Sequence, residues 1–320
     1  MVTSKPFIQV PTESAVVRYG KPVEYAEKQL EILWFANEIN VEKDVQSILV
    51  DMTPEERHGV LTTLRLFTLY ELKAGGEYWG ERFVQIFPRP EFRRMASVFS
   101  MFELAVHAPF YNKLNEALNV STDEFYTDYV KDPDLKARMD FIDEALNDTN
   151  ELYSLGVFSM IEGAVLYSSF AFLKSFQANG YNKLNNVCRG ISFSVRDEAL
   201  HAEAGAVCFK LLKTEANKHA PVERLKDAAR EVYAHEMRII DKIYEKGEDL
   251  PVKQADLRLF VASRLNLCLK NLGIEPIFDE GDNPVGKWFY GETVGYTSND
   301  FFAGTGKEYK RNWSETDFTW

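Results

Sequence analysis

Two carboxylate–histidine steps constrain this chain more than any other feature. Glu198-Ala-Leu-His201 sets the pair three residues apart, and Glu103-Leu-Ala-Val-His107 sets it four apart. At about 100° per residue, positions three or four apart share a helix face, so each pair can point at one metal centre. Glu71 and Glu162 stand on two further helix-like segments. Four carboxylates and two histidines from four helices are the ligand inventory of a dinuclear carboxylate site in a helical bundle.

The flanking residues argue for burial. Phe193, Val195, Ala199 and Leu200 surround the Glu198 step; Val98, Phe99, Phe102, Leu104 and Val106 surround Glu103. Glu162 lies in Phe158-Ser-Met-Ile-Glu-Gly-Ala-Val-Leu-Tyr167. A buried carboxylate needs a counter-charge, and no Lys or Arg occurs in the apolar runs around Glu103 and Glu162. A metal ion is that counter-charge. Oxygen-rich ligands with one imidazole per metal favour iron or manganese over zinc, and such a site can bind and cleave dioxygen. His58, His219 and His235 lie in polar contexts and read as surface residues.

Helical periodicity dominates, with no run of strand alternation, so the fold class is all-α. Helices are expected over 23–36, from Asp51-Met-Thr-Pro toward Phe87 with a loosening at Gly75-Gly76, and after Pro88-Arg-Pro90 through Glu103 and His107. Further helices are expected from Asp132-Pro-Asp to about Asn147, through Glu162, through Glu198 and His201, and over 221–247 and 253–272. This divides the chain into an arm, 1–22, a helical domain, 23–277, and an irregular, flexible tail, 278–320. The formal charge of −12 opposes nucleic-acid binding, which needs an excess of Lys and Arg. A nucleotide phosphate loop is absent from the sequence. Cys188, Cys208 and Cys268 lack Cys-x-x-Cys spacing, which suggests reduced thiols and a cytoplasmic setting. The stretch nearest to a membrane span, Leu155 to Phe172, has Glu162 in its middle, so no membrane association is expected.

The sequence resembles the small, radical-generating subunit of class I ribonucleotide reductase. The resemblance rests on Arg196-Asp-Glu-Ala-Leu-His201, on Tyr167-Ser-Ser-Phe-Ala-Phe172 after Glu162, and on Asn299-Asp-Phe-Phe-Ala-Gly-Thr-Gly-Lys-Glu-Tyr309. It runs from about Trp34 to Trp320 and implies a ferritin-like helical bundle, usually a homodimer, with two iron ions per chain. Manganese or a mixed manganese–iron pair stays open. By that resemblance Glu71, Glu103, His107, Glu162, Glu198 and His201 bind the metals, and Tyr111 holds the radical. Trp34 relays electrons and bonds Asp197, which reaches the metal-bound His107. Tyr309 hands the radical toward a large catalytic subunit that reduces ribonucleotides. The acidic, aromatic end Trp313-Ser-Glu-Thr-Asp-Phe-Thr-Trp320 suits docking of a tail into that partner.

One departure bears on the radical site. The family's first pair is Glu-x-x-His, whereas here Glu103 and His107 are four apart. A π-bulge absorbs one extra residue and keeps Tyr111 one turn after His107. Counting from Glu103 puts Phe110 at that position, the pattern of manganese–iron relatives. Two rivals to the reductase reading are a ferritin-like dimetal oxidase acting directly on a small molecule and an iron-storage protein.

Overall fold

A computed structural model of the chain describes residues 5–289, apart from the side chains of 68, 69, 128–130 and 179. Among the described residues every regular element is helical. The first long helix, α1 (Gly20–Glu31), ends before Trp34, which lies in the following connection and is fully buried. Helix α2 opens at Pro54–Leu72, continues as a π-helical run, Lys73–Arg82, and closes with Phe83–Ile86. Its start is a capping box. The Glu56 amide donates to Thr53 Oγ1 at 3.2 Å, and the Thr53 amide donates to Glu56 Oε2 at 3.0 Å.

Helix α3 begins at Pro90–Phe102, passes through a π-helical turn, Glu103–His107, and ends as Ala108–Ala117. The extra residue between Glu103 and His107 is therefore absorbed as a π-bulge. Helix α4 (Asp123–Lys131) has no counterpart in the sequence-based expectations. Helix α5 (Pro133–Asn147) starts where the Asp132 carboxylate accepts the amides of Asp134 and Leu135. Helix α6 combines Glu151–Met160, a π-helical turn, Ile161–Val165, and Tyr167–Ser175. Helices α7 (Asn185–Glu215), α8 (Val222–Ile243) and α9 (Gln254–Leu272) complete the bundle. Helix α9 stops at Gly273, whose φ of 77° is the left-handed conformation of a helix C-terminus.

Helix α7 is the spine: it packs along α6 and also meets α1 and α9. The run Glu151–Ser175 contains an 18-residue stretch apolar enough to cross a membrane, with a mean hydropathy of 1.5, yet that whole stretch is buried inside the bundle. It is a core helix built around Glu162. Three of the four helices that carry the candidate ligands contain π-helical turns, in α2, α3 and α6. Such turns re-aim side chains and occur preferentially at functional sites.

Two expectations change. Residues 278–289 do not stay apart from the bundle: 284–289 are helical, Phe278 stacks 4.9 Å from Tyr233, and Phe289 lies 4.8 Å from Phe260. The buried aromatics hold this segment down, a signal that its Gly- and Asp-rich composition hides. His235 is buried, not on the surface, and its Nδ1 accepts from Arg238 at 2.6 Å. Helix α8 reads as charged, but α5 packs on it: Arg138 donates to Glu236, and the Phe141 ring lies 5.6 Å from His235. His58 is half-buried and donates through Nε2 to the Lys242 carbonyl at 2.9 Å, whereas His219 is exposed.

Candidate metal centre

Helix α2 brings Glu71 to the centre of the bundle, α3 brings Glu103 and His107, α6 brings Glu162, and α7 brings Glu198 and His201. None of the six is more than 2% exposed. Their ligand atoms form two overlapping groups: Glu71, Glu103, His107 and Glu198 in one, Glu103, Glu162, Glu198 and His201 in the other. Glu103 and Glu198 belong to both. Two carboxylates shared between two imidazole-bearing groups fit a dimetal site. With Glu71 and Glu162 the cluster holds four carboxylates, whose four negative charges equal the charge of two divalent ions.

Each histidine turns Nδ1 inward. His107 Nδ1 lies 2.9 Å from Glu103, 3.3 Å from Glu198 and 3.8 Å from Glu71. His201 Nδ1 lies 2.6 Å from Glu103 and 3.6 Å from Glu162. Helices α2 and α3 must approach closely to allow this. A Cβ on Gly75 would come within 2.7 Å of the Glu103 Cβ, so this position admits no larger residue.

In the absence of cations, protons balance the cluster. Burial opposes the charging of His107, but Glu103 and Asp197 hold its pKa well above the ordinary value. His201, also opposed by burial, is raised to about 9 by Glu103 and then Glu162. Burial and Glu103 push Glu71 well above the carboxylate range, and burial, Glu103 and Glu162 do the same to Glu198. Glu103 alone goes well below it, because the two imidazoliums outweigh its own burial. Metal binding at these residues displaces those protons.

A second layer orients the first. Asp197 Oδ2 accepts from Trp34 Nε1 at 2.8 Å and stands 3.1 Å from His107 Nε2. A carboxylate behind Nε2 keeps the proton there and leaves Nδ1 to the metal. The family described as ribonucleotide reductase, small chain, matches residues 14–284. The chain belongs to the ribonucleotide reductase small-chain family.

Relatives in that family include a probable ribonucleoside-diphosphate reductase small subunit of Invertebrate iridescent virus 3. It is 24% identical over 314 residues, covering 90% of this chain and 81% of its own. The Bacillus subtilis ribonucleoside-diphosphate reductase subunit beta is 25% identical over 229 residues, 68% of each chain. In fold, the chain is similar to a putative class I ribonucleotide reductase of Bacillus halodurans. The TM-score is 0.76 at 22% identity, over 85% of this chain and 99% of that one. The dimanganese(II)-NrdF of Streptococcus sanguinis is similar too, with a TM-score of 0.73 at 20% identity, over 86% and 97% of the two chains.

Tyr111 and Phe110, the two residues that the sequence offered for one position after His107, point in different directions. Tyr111 is fully buried, donates to Ser194 Oγ at 3.0 Å and lies 4.5 Å from the Phe67 ring. Burial and then Glu71 hold its hydroxyl well above the ordinary tyrosine pKa. Phe110 turns toward Trp34, edge-on at 5.5 Å, and covers Gly190, where a Cβ would meet its ring at 2.1 Å. Tyr309 and the acidic, aromatic end of the chain lie outside the described residues.

Trp79 is a site residue that the sequence reading missed. Its Nε1 donates to Glu162 Oε1 at 3.0 Å, and its ring stands 5.9 Å from His201. That bond leaves Oε2 as the Glu162 oxygen free for a metal. A buried tryptophan N–H needs an acceptor, and this was the available signal. Straight α-helical geometry hid it: eight residues put Trp79 roughly 80° away from the face of Glu71. The π-helical run Lys73–Arg82 lies between them and changes that register.

Proposed function

We propose that this chain is the radical-generating small subunit of a class I ribonucleotide reductase, with Tyr111 as the radical site. The observation that carries the reading is the pairing of the shared-carboxylate cluster with a buried tyrosine on its Glu71 side. Two iron ions per chain, or manganese in one or both places, supply the one-electron oxidising power when bound. The donor set suits either metal.

The chain's own residues do the rest. Glu103 and Glu198 span both metal positions, while Glu71 with His107 and Glu162 with His201 complete one each. Asp197 holds His107 in the tautomer that presents Nδ1, and Trp79 fixes Glu162. Complete burial excludes water from Tyr111 and keeps its phenol protonated, so its proton stays on Oη until an electron leaves. From there the oxidising equivalent passes along Asp197 and Trp34, then Tyr309, to a cysteine of the large catalytic subunit. That subunit reduces ribonucleotides to deoxyribonucleotides. The tail docks the partner, the chain pairs as a homodimer, and its three buried free thiols suit a reducing cytoplasm.

A direct-acting oxidase would need a substrate cavity at the metals and would have no use for Tyr309 or the acidic, aromatic tail.

The test is low-temperature electron paramagnetic resonance of metal-free protein reconstituted with Fe(II) and oxygen, with metal quantitation. A tyrosyl doublet at about two irons per chain, lost in Tyr111→Phe with the irons retained, is expected. A doublet that survives in Tyr111→Phe would move the radical elsewhere. Removing the chain after Phe302 should abolish turnover with the large subunit; an oxidase would be indifferent.

A further inference from the structure

Tyr111 on α3 and Ser194 on α7 are both fully buried, and Tyr111 Oη stands 3.0 Å from Ser194 Oγ. Among the described residues this is the only hydrogen bond of either side chain. One hydrogen fills the gap between the two oxygens, and the other is left without an acceptor. The phenol is the stronger acid and supplies the bridging hydrogen, so the uncommitted one belongs to Ser194. Ser192, two residues earlier, shows the ordinary arrangement of a helical serine: its Oγ donates to the Cys188 carbonyl at 2.9 Å, one turn back.

The place of the pair gives the spare hydrogen a use. Tyr111 lies one turn after His107 and Ser194 one turn before Glu198, so two helices that carry metal ligands also carry these hydroxyls. The rings of Phe67 and Phe110 lie 4.5 and 5.0 Å from that of Tyr111, and such packing holds the phenol in place. A serine hydroxyl, by contrast, rotates about one bond without moving a heavy atom. Oxidation of Tyr111 to its radical removes one electron and the phenolic proton, both taken up in the reduction of dioxygen. The phenoxyl oxygen left behind accepts hydrogen bonds and donates none. Buried without a partner, it would be costly.

We propose that Ser194 is the positioning residue of the Tyr111 radical: its hydroxyl accepts from the phenol before oxidation and turns to donate to the phenoxyl oxygen afterwards. No bond to hydrogen breaks at Ser194, which keeps its own proton throughout. It is not the destination of the phenolic proton, because a protonated hydroxyl is too strong an acid to persist. This inference rests on the Tyr111 radical reading, and the experiment separates the two.

Metal-free protein is equilibrated in H₂O or D₂O and reconstituted with Fe(II) and oxygen, with iron measured in every sample. Its radical is then examined by high-field electron paramagnetic resonance and deuterium electron–nuclear double resonance. The parent in D₂O should show one strongly coupled exchangeable deuteron at the phenoxyl oxygen, a measurement that needs no variant. Ser194→Ala suits a helix interior and should retain about two irons per chain and the radical. It should lose the deuteron coupling and shift the largest g value upward, the signature of a phenoxyl oxygen without a hydrogen bond. Ser194→Thr keeps a hydroxyl at that position and should restore both signatures. Ser192→Ala, which removes the hydroxyl bonded to Cys188, should match the parent.

A parent radical without an exchangeable deuteron overturns the proposal, as does a Ser194→Ala radical with the parent's coupling and g values. A parent that binds iron yet forms no tyrosyl radical, or a radical that survives in Tyr111→Phe, overturns the Tyr111 reading and this proposal with it.

Discussion

Two of the polar clusters buried in the bundle are balanced in opposite ways. Around Glu236, on α8, the charges are matched within the protein: Arg138 donates to Oε1 at 3.0 Å, and Ser168 donates to Oε2 at 2.5 Å. Around Glu103 there are four carboxylates, two histidines, and neither Lys nor Arg among the ligand groups. A buried acid with an arginine is a structural ion pair, expensive to break and closed to outsiders. A buried set of acids with no fixed cation is stable only with ions or protons from outside. Burial of charge alone therefore does not mark a functional centre. The missing internal counter-charge does.

The sharpest way to break this contrast is to remove a ligand shared by both metal positions. Glu103→Ala should abolish both metal sites and the radical together, with metal content falling from about two per chain to near zero. A variant that still holds one metal would show that the two positions are independent. It should also lose the stabilisation that metal gives the parent, on the order of 4 kcal/mol at a thousandfold excess over Kd.

The matched cluster should respond the other way. Arg138→Met leaves Glu236 buried without its cation and should cost about 3–5 kcal/mol in urea unfolding, with metal loading unchanged. A loss of metal in that variant would mean the clusters are coupled through α6, which carries both Ser168 and Glu162.

A smaller effect is expected at Trp79. Trp79→Phe keeps the ring but frees Glu162 Oε1, and metal affinity should fall about 10–100-fold, as for other partners behind metal ligands. Competition with a chelator of known affinity measures this, and unchanged affinity would reduce Trp79 to packing.

The smallest effect is one of pH. Burial pushes Glu236 up to about 7 from 4.5, against the pull of Arg138 and Ser168. Between those values the folded chain holds a proton that the unfolded chain has released, so this group loses stability as pH rises. Neighbouring His235 runs opposite: burial, Arg238 and Arg138 lower it to about 4 against the pull of Asp134, so it gains stability as pH rises from 4 to 6.5, with the Glu231 carboxylate 3.3 Å from its Nε2. Glu236→Gln should remove the first trend only. Relative to the parent, the variant should gain roughly 1–2 kcal/mol between pH 4.5 and 7 in urea titrations. A constant difference across that range would mean that Glu236 stays ionised.

The ligand helices were legible in the sequence because an acid in an apolar helix has no bland explanation. Glu162 in its apolar run, and Glu103 with His107 among aromatics, announce a centre wherever the chain folds. Thr53 and Asp132 marked helix starts for the same local reason, since a cap is made by residues two or three away. The spacing of Glu103 and His107 also forced a choice between a π-bulge and a changed radical position, and the backbone takes the bulge.

Apart from the Trp34–Asp197–His107 link implied by the family resemblance, the sequence held no partnership across the bundle. His235 looked like a surface residue because the ring beside it, Phe141 at 5.6 Å, arrives from another helix, α5. Trp79 meets Glu162 across 83 residues, through a run of π-helix that local periodicity does not register. Spacing put Tyr111 only narrowly ahead of Phe110. Packing sets the two rings apart: Phe110 fills the gap over Gly190, and Tyr111 donates to Ser194. Local chemistry in the sequence determined which residues need a partner. Only the tertiary structure decided which partner each one has, because such contacts depend on how whole helices pack.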